Sequence, residues 1–142
     1  SIPTISNAMD VGDPSNRPRL EWLYNGSVSD MQRQFSVVSV DEESTKQTMR
    51  RIKDETDVLV CPHTAVGVHA AHRKQGQPST NNCTVVLATA HAAKFGSVVQ
   101  AATGHEPLVP EALNACLTEP KVSIALPATY EALKAYLMDS NG

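Results

Sequence analysis

Thr84-Val85-Val86-Leu87-Ala88-Thr89-Ala90-His91-Ala92-Ala93-Lys94-Phe95 is the stretch on which the reading of the fold turns. Residues 84–88 form an unbroken run of strand-forming and small apolar side chains, which suits a parallel strand covered on both faces. Immediately after it the period changes. Phe95, Val98, Val99 and Ala102 recur at i, i+3, i+4 and i+7, the spacing of one buried helix face, and predict a helix over 92–103.

Upstream, the pattern repeats. Asp57-Val58-Leu59-Val60-Cys61 reads as a short strand, and Pro62 then opens a helix of about 63–75 carrying the small residues Ala65, Val66, Val68, Ala70 and Ala71. Residues 76–82 are polar and read as a surface loop. Before that, Ser36–Val40 reads as a strand. Asp41 caps a helix to about Glu55, with Glu42 and Glu43 in its first turn and Arg50, Arg51 and Lys53 near its end, as the helix dipole favours. Thr45, Met49 and Ile52 make its inner stripe. Residues 1–15 are loop-like. A helix over about 16–25 follows, with Ser15 or Asn16 as N-cap, Pro18 tolerated in the first turn and Gly26 as the stop. Downstream come a short helix near 110–117, a strand at 122–125 and a last helix at about 128–139 with Tyr130, Leu133 and Leu137 on one side. This alternation predicts an α/β fold with mostly parallel strands and flanking helices.

Composition narrows the function. The 142 residues are 41% apolar and 19% charged, with a formal net charge of −3, which fits a globular domain and gives no electrostatic reason to expect nucleic acid or an anionic membrane. No apolar run approaches the ~20 residues that span a bilayer. Three widely spaced cysteines, Cys61, Cys83 and Cys116, argue against a disulfide framework and for a reducing, cytoplasmic setting. The opening Ser1-Ile2-Pro3-Thr4-Ile5-Ser6-Asn7 lacks Met and has the look of an excised or processed fragment.

Ligands of α/β sheets gather at the carboxyl ends of strands, which singles out the 88–95 junction. Thr89 puts a hydroxyl at the strand edge, His91 a titratable ring beside the helix start, and Lys94 a cation in the first turn, where the dipole is already positive. Spacing alone equally allows Thr89 to satisfy a backbone group, His91 to cap the helix and Lys94 to be a solvated side chain. Cys61, His63, His69 and His72 raise a zinc reading. His69 and His72 share a helix face, but His63 falls nearly opposite His72 at ~100° per residue, so one tetrahedral site is hard to build and no metal site is assigned. His63, following Pro62, reads as a capping or packing residue rather than a base. Trp22, Tyr130 and Tyr136 read as core or interface, and Asp10 and Asp13 as turn and cap residues.

Three segments, in order, resemble the C-terminal part of threonine synthases of the longer bacterial and fungal type: Thr4-Ile5-Ser6-Asn7-Ala8-Met9-Asp10-Val11-Gly12-Asp13-Pro14-Ser15-Asn16, Pro62-His63-Thr64-Ala65-Val66-Gly67 and Thr89-Ala90-His91-Ala92-Ala93-Lys94-Phe95. Leu126-Pro127-Ala128 before the last helix also fits. The departures are Ala92 where proline is expected and Arg17 where an aromatic is common. The resemblance implies a fold-type II, tryptophan-synthase-β-like enzyme of which residues 1–142 are a single C-terminal segment. The implied cofactor is pyridoxal 5'-phosphate, and the implied reaction converts O-phospho-L-homoserine and water to L-threonine and phosphate. It further implies that Thr89 hydrogen-bonds the pyridine nitrogen of the cofactor. Ser6, Asn7, His91 and Lys94 are expected near the substrate without individual roles. No catalytic residue is assigned in this chain, because the Schiff-base lysine and the phosphate-binding loop belong to an N-terminal part with no counterpart here. The chain alone is therefore expected to be inactive. Its open sheet edge should associate with that N-terminal part or with copies of itself. The alternatives are a non-catalytic relative that binds the cofactor or a phosphorylated ligand, and a structural or interaction domain.

Overall fold

Asp41 starts the element on which the rest packs. In the computed structural model, which describes residues 2–74 and 83–139, its carboxylate accepts the Ser44 N–H at 2.7 Å and the Ser44 hydroxyl at 3.2 Å. These two donors hold the Asp41 carboxyl below its ordinary pKa, the backbone N–H contributing most. The helix it caps runs Glu42–Thr56 and ends at Asp57, which adopts the left-handed conformation (φ 60°) and pairs with Lys53.

Elements are numbered in chain order: α1 Arg17–Leu23, α2 Val28–Gln34, α3 Glu42–Thr56, α4 Pro62–Lys74, α5 Gly96–Thr103, α6 Glu111–Thr118 and α7 Tyr130–Asp139, with 3-10 turns at Asn7–Met9 and Ala92–Phe95. The chain divides into two compact units, Ser1–Val109 and Pro110–Gly142. In the first, α3 packs on α4 and α5. Met49 of α3, Ala65 of α4, Ala92, and Val99 and Ala102 of α5 form the buried core, with Leu59, Val60 and Phe95 packed against it. Arg50 ties α3 to α5 by donating from Nε to the Ala102 carbonyl at 2.7 Å. In the second unit α6 and α7 leave Leu117, Tyr130, Leu133 and Leu137 exposed, and none of its described residues is buried.

The helices expected at 41–55 and 63–75 are present nearly as read. The one expected at 92–103 divides into a 3-10 turn and α5, and its inward residues Val99 and Ala102 are buried. Helix α1 forms with Asn16 at its N-cap, but the Asn16 side chain makes no capping bond, and Trp22 is 81% exposed rather than core. Gly26 does stop the chain after α1, at φ +72° with its N–H on the Glu21 carbonyl at 2.8 Å. Helix α2 is not anticipated by the apolar pattern. Its signal is polar: Ser27 caps it by accepting the Asp30 N–H, and Asp30 itself stands in the first turn.

The expected strands are not seen. The described residues contain none: 36–40, 57–61, 84–88 and 122–125 are not paired into a sheet. A strand exists only through hydrogen bonds to a neighbour, so an apolar run alone does not make one. Within the 84–88 run only Val86 is turned inward. Val85 and Leu87 are 79% and 78% exposed, whereas Val86 is half-buried and lies against α4, its Cγ1 3.0 Å from where a Cβ on Gly67 would sit. The expected 76–82 loop lies outside the described residues.

Candidate functional site

The segment after the 84–88 run is held by its own backbone and by the core. Ala92 is buried among the core residues and Phe95 packs on them. His91 is the N-cap of the 3-10 turn (φ −71°, ψ 141°), its Nδ1 accepting the Ala93 N–H at 3.1 Å while its carbonyl accepts the Lys94 N–H at 3.1 Å. Because Nδ1 accepts, the neutral ring carries its proton on Nε2. The first-turn donors Ala93 and Lys94 are thus satisfied internally. An anion there would be met by the exposed side chains of His91 and Lys94 rather than by bare backbone N–H groups. Thr89 is exposed, and among the described residues its hydroxyl makes no hydrogen bond.

The N-terminal loop is equally well tied. The Asp10 carboxylate accepts the backbone N–H and the hydroxyl of Thr4, both at 2.7 Å, and the hydroxyls of Thr4 and Ser6 lie 3.1 Å apart. Asp10 is therefore the organiser of this loop, as its reading as a turn residue suggested. Ser6 is 6% exposed and its hydroxyl belongs to this network, whereas Asn7 is exposed. Two contacts fasten the loop to the helices. The Ile5 N–H donates to Glu42 Oε1 at 3.1 Å, and the Ala8 N–H donates to His63 Nε2 at 3.1 Å.

His63 is what joins the parts. Its ring also lies 4.7 Å from that of Phe95, tilted by 53°. The three quoted segments, around residues 4–16, 62–67 and 89–95, therefore converge on one imidazole. Among the described residues no hydrogen bond runs directly from Ser6 or Asn7 to Thr89, His91 or Lys94. The sequence marks His63 as a capping or packing residue. Its position directly after Pro62 was the available signal, but its partners lie far away in the chain. The other residues of the zinc reading are dispersed. Cys61 is buried, its Sγ accepting the Thr64 N–H at 3.5 Å, and His69 Nδ1 lies 3.3 Å from the Thr48 hydroxyl. Among the described residues no group of three His, Cys, Asp or Glu side chains is placed to hold a metal ion.

The family model described as "Threonine synthase, C-terminal" matches residues 64–137. A threonine synthase of Serratia marcescens is 36% identical over 138 residues, which are 97% of this chain and 31% of that protein. The crystal structure of threonine synthase from Escherichia coli superposes with a TM-score of 0.69 at 36% identity, over 96% of this chain and 31% of the other. The structure of PLP-bound threonine synthase from Brucella melitensis superposes with a TM-score of 0.65 at 27% identity, over 97% of this chain and 34% of the other. The chain thus spans about a third of the length of the proteins it matches.

Proposed function

Because the chain belongs to the threonine synthase family, we propose that it is the C-terminal part of a pyridoxal-phosphate-dependent enzyme converting O-phospho-L-homoserine and water to L-threonine and phosphate. The observation that supports this reading is the convergence of three sequence-distant segments on His63, the third of them, through Phe95, being the segment that carries the exposed Thr89. The likeness to a PLP-bound threonine synthase supports it.

The residues present fit the cofactor's ring nitrogen. Thr89 offers a hydroxyl that no other described residue engages, flanked by the small Ala88 and Ala90. When bound, pyridoxal phosphate supplies an electron sink for carbanion chemistry. Thr89 orients the ring and, being neutral, does not enforce the positive pyridinium that a carboxylate partner would. The His91 Nε2–H and the Lys94 ammonium are donors suited to the substrate's phosphate, and the exposed Asn7 amide to its polar end. Ser6, buried in the Thr4–Asp10 network, shapes the loop instead. The Schiff-base lysine and the loop that cradles the cofactor phosphate come from the remainder of the protein. So do the strands that complete 36–40, 57–61, 84–88 and 122–125, which fits the exposure of Val37, Val85, Leu87 and Val122. Self-association through the same faces is the alternative when that remainder is missing. The three free cysteines suit the cytoplasm, and no helix among the described residues is long and apolar enough to cross a membrane.

The test is Thr89→Ala in the full-length protein. Loss of one hydrogen bond to the ring should shift the cofactor's absorbance and lower kcat by roughly 10-fold, and Thr89→Ser should restore both. Unchanged spectra and rates would refute contact with the ring. Cofactor binding without turnover of O-phospho-L-homoserine would make the protein a non-catalytic relative.

A further inference from the structure

Ile5 and Ala8 fasten the N-terminal loop at two points, and the two points differ in kind. Glu42 takes the Ile5 N–H on a carboxylate oxygen at 3.1 Å, and its other oxygen lies 3.6 Å from Lys46 Nζ. That anchor ends on α3. The Ala8 anchor ends on His63, which alone of the two also touches the segment after Thr89, through Phe95.

Chemistry fixes the state of that imidazole. The Ala8 N–H can donate only to a nitrogen with a free lone pair, so Nε2 is bare and the proton of the neutral ring is on Nδ1. The opposite tautomer, or the doubly protonated ring, would set two N–H donors face to face at 3.1 Å. Nδ1 is itself buried and has no hydrogen-bond partner among the described residues. An unsatisfied buried N–H is unfavourable, so the ring does not reach this state for the sake of its Nδ1 side. The contact with Ala8 and the packing on Phe95 are what compensate.

We infer that His63, as the neutral Nδ1–H tautomer, is the positioning residue that holds the loop bearing Ser6 and Asn7 in register with the segment bearing Thr89, His91 and Lys94. It acts through the loop and does not touch reacting atoms. Its relevance to substrate rests on the reading of the site proposed above. Its geometry does not.

The test uses the full-length protein. Nitrogen NMR with histidine labelling should show His63 protonated on Nδ1 and bare on Nε2, and the Nε2–H tautomer would overturn the inference without any variant being made. His63→Phe keeps a ring against Phe95 and removes the acceptor. It should speed hydrogen exchange at the Ala8 amide by roughly 2- to 10-fold, the worth of one net hydrogen bond. His63→Gln puts an amide oxygen near the former Nε2 and should bring exchange back to within about two-fold of wild type, a reversal that a general loss of packing would not give. The KM for O-phospho-L-homoserine should rise in the Phe variant and recover in the Gln variant, with cofactor absorbance unchanged in both. Exchange that is the same in wild type and Phe variant, or equally fast in both variants, would overturn the anchor. Faster exchange with an unchanged KM would overturn its link to the site. Failure of the Thr89 test with these results intact would remove the cofactor assignment and leave the His63 anchor standing.

Discussion

Gly67→Ala sets two opposed and comparable effects against each other, and the structure decides which wins. Gly67 lies inside α4, where alanine in place of glycine is worth about 1 kcal/mol of helix propensity. The added methyl, however, would stand 3.0 Å from Val86 Cγ1. That is several tenths of an ångström inside the ~3.5–4.0 Å optimum for two carbons. Valine cannot easily give way, because two heavy atoms on Cβ restrict its χ1, so relief requires moving the 84–88 backbone off α4. Overpacking of this kind costs about 1–3 kcal/mol. The net expectation is destabilisation by about 1 kcal/mol, read as a lower urea midpoint at unchanged slope. The double variant Gly67→Ala/Val86→Ala separates the terms: with the clash removed, Gly67→Ala should stabilise the Val86→Ala background by up to about 1 kcal/mol. Stabilisation by Gly67→Ala in the wild-type background would refute the close approach, and with it the packing of Val86 on α4. Equal effects in the two backgrounds would refute the coupling of residues 67 and 86.

Two further outcomes test the core and the cap. Met49 is fully buried among Ala65, Ala92 and Ala102, whose short side chains cannot fill the space it leaves, so Met49→Ala should cost roughly 3–5 kcal/mol by urea denaturation, toward the upper part of the range for such truncations. The lowered pKa of Asp41 makes folding depend on pH: the carboxylate's contribution is fully present above its unfolded value and is lost as pH falls through the lower, folded value. Asp41→Asn should flatten the acid side of the stability–pH profile, measured by denaturant midpoints at stepped pH, and an unchanged profile would count against the cap.

Much of this molecule is written locally. Asp41 with Glu42 and Glu43, Pro62 at the head of α4, and the Phe95–Val99–Ala102 spacing each lie within a turn or two of what they control, and the corresponding helices stand where those residues put them. Ser27 and Asp30 held the same kind of signal for α2, and the apolar pattern hid it. Strands are another matter. Val85, Val86 and Leu87 state a preference that only a neighbouring strand can realise, and no such neighbour is present among the described residues. Trp22 and Leu133 form apolar stripes whose burial depends equally on what packs against them.

The sequence by itself determined the caps and periods of the helices, the place of the Thr89 hydroxyl directly after the apolar 84–88 run and the family whose segments appear in order. Those depend on residues within a few positions of one another or on the order of residues along the chain. Only the tertiary structure decided that His63 joins those segments. Its bond to Ala8 spans 55 positions, and both that bond and the Phe95 contact exist only once α4 has packed in the core that Met49, Val99 and Ala102 close.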